Sequence, residues 1–241
     1  LQSLQDRPKR TALLQTLKEQ TSPAVVAGEV ATMNFDSGSY AANQLIDSPR
    51  GKAVRLTGDH GIDVKVGNFA RWQPFSVSTW INTPKTFERS VVFHRSRAWT
   101  DAASRGYELL IEDGHLSVSL IHFWPGNAIR IRATQPLTVN EWQQVTITYD
   151  GSSKAAGLQL WLNGEFAQTD VVRDNLYRNI TGGGGDTINI GQRFRDVGFA
   201  KGMVDDFRVF DRQLTPLEVR HVFDGQSLSN AVATALLSDC P

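Results

Sequence analysis

Two hydrophobic periods divide the chain. In residues 1–22, Leu13, Leu14 and Leu17 recur at helical spacing with Lys18 and Glu19 between them and Pro23 behind, so a short polar helix is expected there. From Val30 onward the period drops to two. Leu116, Val118 and Leu120 alternate with Ser117 and Ser119; Val145, Ile147 and Tyr149 with Gln144, Thr146 and Thr148; Leu158, Leu160 and Leu162 with Gln159, Trp161 and Asn163. Each run offers one face to a core and the other to water. Runs rich in Val, Ile, Thr, Trp and Phe, punctuated by Gly, Asp, Asn and Pro, predict strands over 30–35, 53–57, 62–66, 75–82, 90–95, 106–112, 115–122, 128–134, 142–149, 158–163, 165–170, 187–191 and 202–210. Asn163-Gly164 and Asp113-Gly114 have the chemistry of two-residue hairpins, which need positive φ. Pro125-Gly126-Asn127 makes a longer connection. About thirteen strands are too many for one open sheet, so an all-β sandwich of two antiparallel sheets is expected.

One helix follows the last strand. Thr215-Pro216-Leu217-Glu218 combines an N-cap hydroxyl, a proline at the first helical position and a capping-box glutamate, and Gly225 stops it. Beyond it the β pattern ends, and Ala231, Val232, Ala235, Leu236 and Leu237 carry a helical spacing without a partner. The organisation read from this is an N-terminal flanking helical segment, 1–29, one β domain, 30–225, and a C-terminal flanking segment, 226–241. The chain starts at Leu1 rather than Met and is expected to be a piece of a longer protein. The glycines 182–185 precede a strand, not a helix, and no Lys-Ser/Thr follows them, so they read as a flexible loop rather than a phosphate cradle.

Composition narrows the function. Among 241 residues, 25 Lys and Arg balance 25 Asp and Glu, which argues against a nucleic-acid binder or a partner of anionic membranes. No run of 18 apolar residues exists to span a bilayer. Cys240 stands alone, which excludes a disulfide framework, a Cys zinc site, an iron–sulfur site and covalent haem attachment within this chain. The length suits one large all-β domain of about 195 residues with short flanks.

The candidate chemistry is that of a binding surface. A glycoside hydrolase needs two carboxylates about 5 to 9.5 Å apart, whereas Glu108 and Glu112 share a strand face at roughly 13 Å, and Asp205 and Asp206 are adjacent and expected on opposite faces. No Glu-x-Asp-x-x-Glu cluster is present and no catalytic residue is assigned; carboxylates from separate strands can still converge, which leaves a polysaccharide-cleaving enzyme as a third reading after binding and docking. His60, His94, His115, His122 and His221 lack metal-ligand spacing and read as solvated or hydrogen-bonded. Two features stand out. The segment His94-Arg95-Ser96-Arg97-Ala98-Trp99-Thr100-Asp101 has the composition of a surface for something planar or anionic, or of a loop pinned to its own domain by Trp99 and ion pairs. Arg130 and Arg132 alternate with Ile129 and Ile131 beside Trp124, opposite strands with Gln159, Trp161 and Asn163 on their polar face. An aromatic ring there can stack on a sugar, or Trp161 can be covered by a loop or another domain. The ligand-binding candidates are Trp99, Arg97, Trp124, Arg130, Arg132 and Trp161. Asp205 is placed on the inward Phe207/Val209 side of its strand, where two roles are open: a structural hydrogen bond, or calcium held with Asp36, Asp59 and backbone carbonyls.

Six segments occur in an order that carries a resemblance: Ala53-Val-Arg-Leu-Thr-Gly-Asp59, Phe75-Ser-Val-Ser-Thr-Trp-Ile81, Asn140-Glu-Trp-Gln-Gln-Val-Thr-Ile-Thr-Tyr-Asp-Gly151, Leu158-Gln-Leu-Trp-Leu-Asn-Gly164, Ile188-Asn-Ile-Gly191 and Val204-Asp-Asp-Phe-Arg-Val-Phe-Asp-Arg-Gln-Leu-Thr-Pro-Leu-Glu218. Over about residues 30–225 the chain resembles the laminin-G-like, concanavalin A-like lectin/glucanase jelly roll. More narrowly, Phe93 to Asp101, Arg105 to Gly114, Ile121 to Arg132 and Asp174 to Gly185 look like the jelly-roll domain embedded in exported planctomycete proteins that also carry a cytochrome c-like domain. The resemblance implies glycan or protein-ligand binding, often with calcium, in an exported protein at the periplasm or cell surface. It also implies an alternative role as an interaction module that positions a redox or hydrolytic sister domain. Fold alone assigns none of these.

Overall fold

The computed structural model describes residues 25–231; the expected N-terminal helix, most of the C-terminal flank and Cys240 lie outside them. Fifteen strands follow in chain order: β1 Glu29–Met33, β2 Gln44–Ser48, β3 Gly51–Arg55, β4 Ile62–Val64, β5 Phe75–Asn82, β6 Arg89–Arg95, β7 Gly106–Glu112, β8 His115–Phe123, β9 Asn127–Pro136, β10 Trp142–Tyr149, β11 Leu158–Leu162, β12 Glu165–Phe166, β13 Thr169–Asn175, β14 Ile188–Ile190 and β15 Met203–Phe210. A helix, α1, spans Pro216–Asp224.

The strands form two antiparallel sheets. The first runs β12-β11-β10-β5-β15-β3-β2, with β1 also paired to β15; the second runs β13-β9-β8-β7-β6-β14-β4. The alternation read from sequence decides which side chains meet between them. Val77, Ile81, Val145, Ile147, Leu158 and Leu160 of the first sheet pack against Leu109, Ile111, Val118, Leu120, Ile129 and Ile131 of the second in one continuous core. Both expected hairpins are present. Asp113 (φ 50°) and Gly114 (φ 79°) turn β7 into β8, and Asn163 (φ 51°) and Gly164 (φ 76°) turn β11 into β12. Residues that tolerate left-handed backbone occupy these positions because the twist of the flanking strands demands it.

Two strands escape the sequence pattern. No strand is predicted over the residues of β2, and the predicted strand 165–170 is two: β12 ends at Phe166, and β13 crosses to the edge of the other sheet. The side chains of β13 are exposed from Asp170 to Asn175, so no apolar row marks the strand.

The outer face of the first sheet is closed by α1. Thr215 and Glu218 form the expected capping box, Pro216 opens the helix and Gly225 (φ 69°) ends it. Its buried Val219 and Val222 join Trp161, Phe210, Leu214 and Val26 in a second, smaller apolar cluster. The polar side of β10 and β11 is therefore not wet, as the alternation alone implies, but roofed by the chain's own helix.

Candidate functional site

The outer face of the second sheet is built differently. Register carries one polar row across it: Asn189 opposes His94, His94 opposes Glu108, Glu108 opposes Ser119, Ser119 opposes Arg130 and Arg130 opposes Arg173. The intervening residues of these strands point into the core, so alternation fixes the row to the outside. The loop after β14 then folds back over this face through backbone bridges between Val91 and Gly198 and between Ala98 and Phe194. It delivers Arg193 and Asp196.

The result is a closed ring of alternating charge. Arg89 Nη1 donates to Glu112 Oε1 at 3.1 Å, and Arg130 Nη1 approaches the same oxygen at 3.3 Å. Arg130 Nη2 donates to Glu108 Oε1 at 2.7 Å, and Arg193 Nη1 donates to Glu108 Oε2 at 2.5 Å. Arg193 Nη2 donates to Asp196 Oδ2 at 2.6 Å, and Arg89 Nε donates to Asp196 Oδ1 at 2.7 Å, which closes the circuit. Every guanidinium touches two carboxylates and every carboxylate two guanidiniums, the condition under which buried charges are tolerated. Burial alone pushes the Glu108 carboxyl up, but the Arg193 and Arg130 charges outweigh it and hold the group below its ordinary range. Asp196 is also held low, burial being opposed by Arg89 and Arg193. Both acids are thus ionised at neutral pH, and neither is poised to donate a proton as a glycosidase acid must.

His94 lies within this layer. Burial and then the Arg193 charge push its pKa down to about 4, so the ring is neutral near pH 7. Its Nε2 meets the Gln192 carbonyl at 2.8 Å, and a carbonyl only accepts. The proton is therefore on Nε2, and Nδ1 accepts from Ser96 Oγ at 2.9 Å.

Two indoles cap the ring. The Arg130 guanidinium sits 3.9 Å from the Trp124 ring centre, and the Arg89 guanidinium sits 4.5 Å from that of Trp99. Because Arg89 and Arg130 share Glu112 Oε1, the two rings flank one half-buried carboxylate. Trp99 is 39% exposed and Trp124 is half-buried. The arginines beneath them are fixed by the ring, so the indoles rest on a rigid charged floor.

Of the residues expected to bind a ligand, this face gathers Trp99, Trp124, Arg130 and Arg132, with Arg97 exposed on the loop that carries Trp99. Arg132 is tied to the Glu112 carbonyl at 2.9 Å and to Asp113 at 3.3 Å. Trp161 does not join them. It is on the other sheet, 6% exposed beneath α1, where its Nε1 donates to Thr148 Oγ1 at 3.2 Å. Arg95 is no surface cation either: it is fully buried, donating to the Ile180 carbonyl at 2.9 Å and pairing with Asp186 at 2.6 Å.

The aspartates need a larger correction. A β-bulge between Asp205 and Arg208, with Asp206 at φ 46°, breaks the alternation. Val204 opposes Ile81 on the core side, so Asp205, opposite Trp80, lies on the outer side rather than with Phe207 and Val209. Asp206 lies nearby, held by Arg208 at 2.8 Å and Arg50 at 3.6 Å, so the two carboxylates are not on opposite faces. Asp205 accepts from Ser48 Oγ at 2.9 Å and from the Asp206 N–H at 2.7 Å. Asp36 is exposed and accepts from the Lys52 N–H at 3.1 Å, and Asp59 is exposed in the turn capped by Thr57. Among the described residues no group of three or more His, Cys, Asp or Glu side chains is arranged to hold a metal ion. Asp36, Asp59 and Asp205 therefore do not gather into the three-aspartate set that the calcium arrangement needs.

Sequence reasoning missed Arg89, Arg193 and Asp196 as members of the site. The available signal was the dense Gln192-Arg-Phe-Arg-Asp196 run directly after a core strand.

Comparison with known proteins bears on the fold. A laminin-G-type family model described as the concanavalin A-like lectin/glucanases superfamily matches residues 56–220. The binding domain of Paraclostridial Mosquitocidal Protein 1 superposes with a TM-score of 0.59 at 19% identity, over 77% of this chain and 46% of that one. The binding domain of botulinum neurotoxin serotype G gives 0.58 at 17% identity, over 78% and 46%. Domain 4 of AbnA, a GH43 extracellular arabinanase from Geobacillus stearothermophilus, solved in complex with arabinotriose, gives 0.51 at 16% identity, over 86% and 94%. The chain thus spans about half the length of the first two, and at these identities the likeness is one of fold. No curated protein matches the sequence significantly. Among the described residues no helix is long and apolar enough to cross a membrane.

Proposed function

The chain belongs to the concanavalin A-like lectin/glucanases superfamily, and from that premise we propose that it is a non-catalytic carbohydrate-binding module of a larger exported protein. The observation that carries this reading is the pair of tryptophans, Trp99 and Trp124, each stacked on an arginine of one closed ion-pair ring and flanking Glu112. Sugars present C–H faces that stack on indoles and hydroxyls that need fixed donors and acceptors around them. A rigid floor lowers the ordering cost of binding. The arabinotriose complex of the arabinanase domain supports a glycan as the ligand class on this fold. The ionised, arginine-held Glu108 and Asp196 support binding without bond cleavage.

The test is calorimetric titration with neutral trisaccharides, arabinotriose first, comparing the parent with the Trp99→Ala, Trp124→Ala double variant. Binding by the parent and its loss in the variant support the module; equal binding by both removes this site. A second reading, a docking surface for a sister domain, draws on the exposed Phe194 beside Trp99. It predicts no affinity for any sugar and association with a neighbouring segment of the parent protein.

A further inference from the structure

A pocket of about 350 Å³ opens beside the tryptophan platform, lined by Arg105, His122, Phe123, Gly126, Asn127, Tyr177 and Arg178. The turn between β8 and β9 builds both features, since Phe123 and Asn127 line the pocket while Trp124 covers Arg130. Its donors outnumber its acceptors. Asn127 is 4% exposed, and its Oδ1 accepts from the backbone N–H groups of Tyr177 and Arg178, both at 3.2 Å. Those contacts fix which end of the amide is oxygen, and they leave buried Nδ2 with no partner. Arg105 Nε is a second buried donor without a partner. His122 Nδ1 donates to the Asn179 carbonyl at 2.6 Å. Among the described residues no carboxylate lines the pocket, and none pairs with Arg105 or Arg178. The walls at the mouth are aromatic, Phe123 45% and Tyr177 62% exposed.

Buried donors without a protein partner and two guanidiniums without a carboxylate, around a hollow with no acid among its described residues, suit an acceptor carrying negative charge. We propose that this pocket binds the oxyanion of an acidic glycan, a carboxylate or a sulfate ester, on a sugar adjoining the one that stacks on Trp124. The inference rests on the glycan-binding reading and gives it a ligand class. It also explains how a chain of zero net charge selects an anion: the positive charge is local, and the ion-pair ring next to it is neutral.

The experiment titrates the 241-residue chain with oligogalacturonate, with chondroitin sulfate oligosaccharides and with neutral galacto-oligosaccharides. The parent is compared with the Arg105→Gln, Arg178→Gln double variant and with Asn127→Asp, which keeps the oxygen that accepts the two backbone N–H groups. At least one acidic glycan is expected to bind roughly tenfold tighter than the neutral one, an advantage both variants lose while neutral binding stays unchanged. The arm that binds names the source, carboxylate or sulfate. Acidic glycans that bind no tighter than neutral ones, or that bind the variants as well as the parent, overturn the inference and leave the glycan reading standing. If no glycan binds, that reading fails, and inorganic sulfate decides the pocket alone. A shift of the Asn127 side-chain amide resonance upholds an oxyanion site; its absence overturns it.

Discussion

The two outer faces of this sandwich begin from the same sequence pattern and end in opposite solutions. Each is the polar side of alternating strands. On the first sheet, Trp161 and Phe210 interrupt the polar side, and α1 lays Val219 and Val222 on them to make a second apolar core. On the second sheet the polar side stays charged, and Arg193 and Asp196 arrive from a loop to neutralise it pair by pair. A helix roof hides its aromatics, Trp161 being 6% exposed, whereas the charged floor leaves Trp99 at 39%. A face closed by electrostatics can keep its rings at the surface. That is the physical reason for placing recognition on the second sheet.

Removing the anchor of the apolar face should have the largest effect. Trp161→Ala is expected to destabilise the fold by about 3–5 kcal/mol, as for buried aromatics generally, and to leave sugar binding of the intact molecules unchanged; chemical denaturation followed by titration checks both.

Acid should distinguish the faces next. His94 has its pKa depressed from 6.5 to about 4, so the unfolded chain takes up a proton that the folded one refuses. The stability from keeping it neutral is fully present above pH 6.5 and is lost as pH falls towards 4, by about 3 kcal/mol in total. Denaturation midpoints measured between pH 7 and 4 should show this slope in the parent and a flatter one in His94→Gln. An equal slope in both would place the acid sensitivity elsewhere.

Cutting the ring itself is expected to cost less, because Gln keeps the shape. Glu108→Gln removes one charge from between Arg130 and Arg193, each of which retains another carboxylate, Glu112 and Asp196 respectively. A loss of about 2 kcal/mol is expected, with weakened sugar binding as the arginine floor loosens. Stability loss with unchanged affinity would separate the ring from recognition.

Legibility in the sequence follows the range of the interactions. Alternation, the two hairpin turns and the helix cap are local, and each stands where the residues place it. β13 was not legible because an exposed edge strand needs no apolar row. The site was half legible. Trp99, Trp124, Arg130 and Arg132 were visible as composition, but Arg193 reaches Glu108 and Asp196 reaches Arg89 across the fold from a loop without periodicity. Trp161 stayed open between a sugar platform and a covered ring because strand parity gives a face but not what covers it. Asp205 misled because one bulge residue inverts parity for everything before it.

Nitrogen-edited NMR of the indole N–H groups during titration with a bound trisaccharide decides whether the second sheet's outer face, and not the first's, meets the ligand. The chain has six tryptophans; Trp80 stacks on Phe223 of α1, and Trp161 lies in the apolar cluster beneath that helix. Saturable shifts are expected for Trp99 and Trp124 and fixed positions for Trp80 and Trp161. Shifts confined to Trp80 and Trp161 would contradict that placement of the ligand.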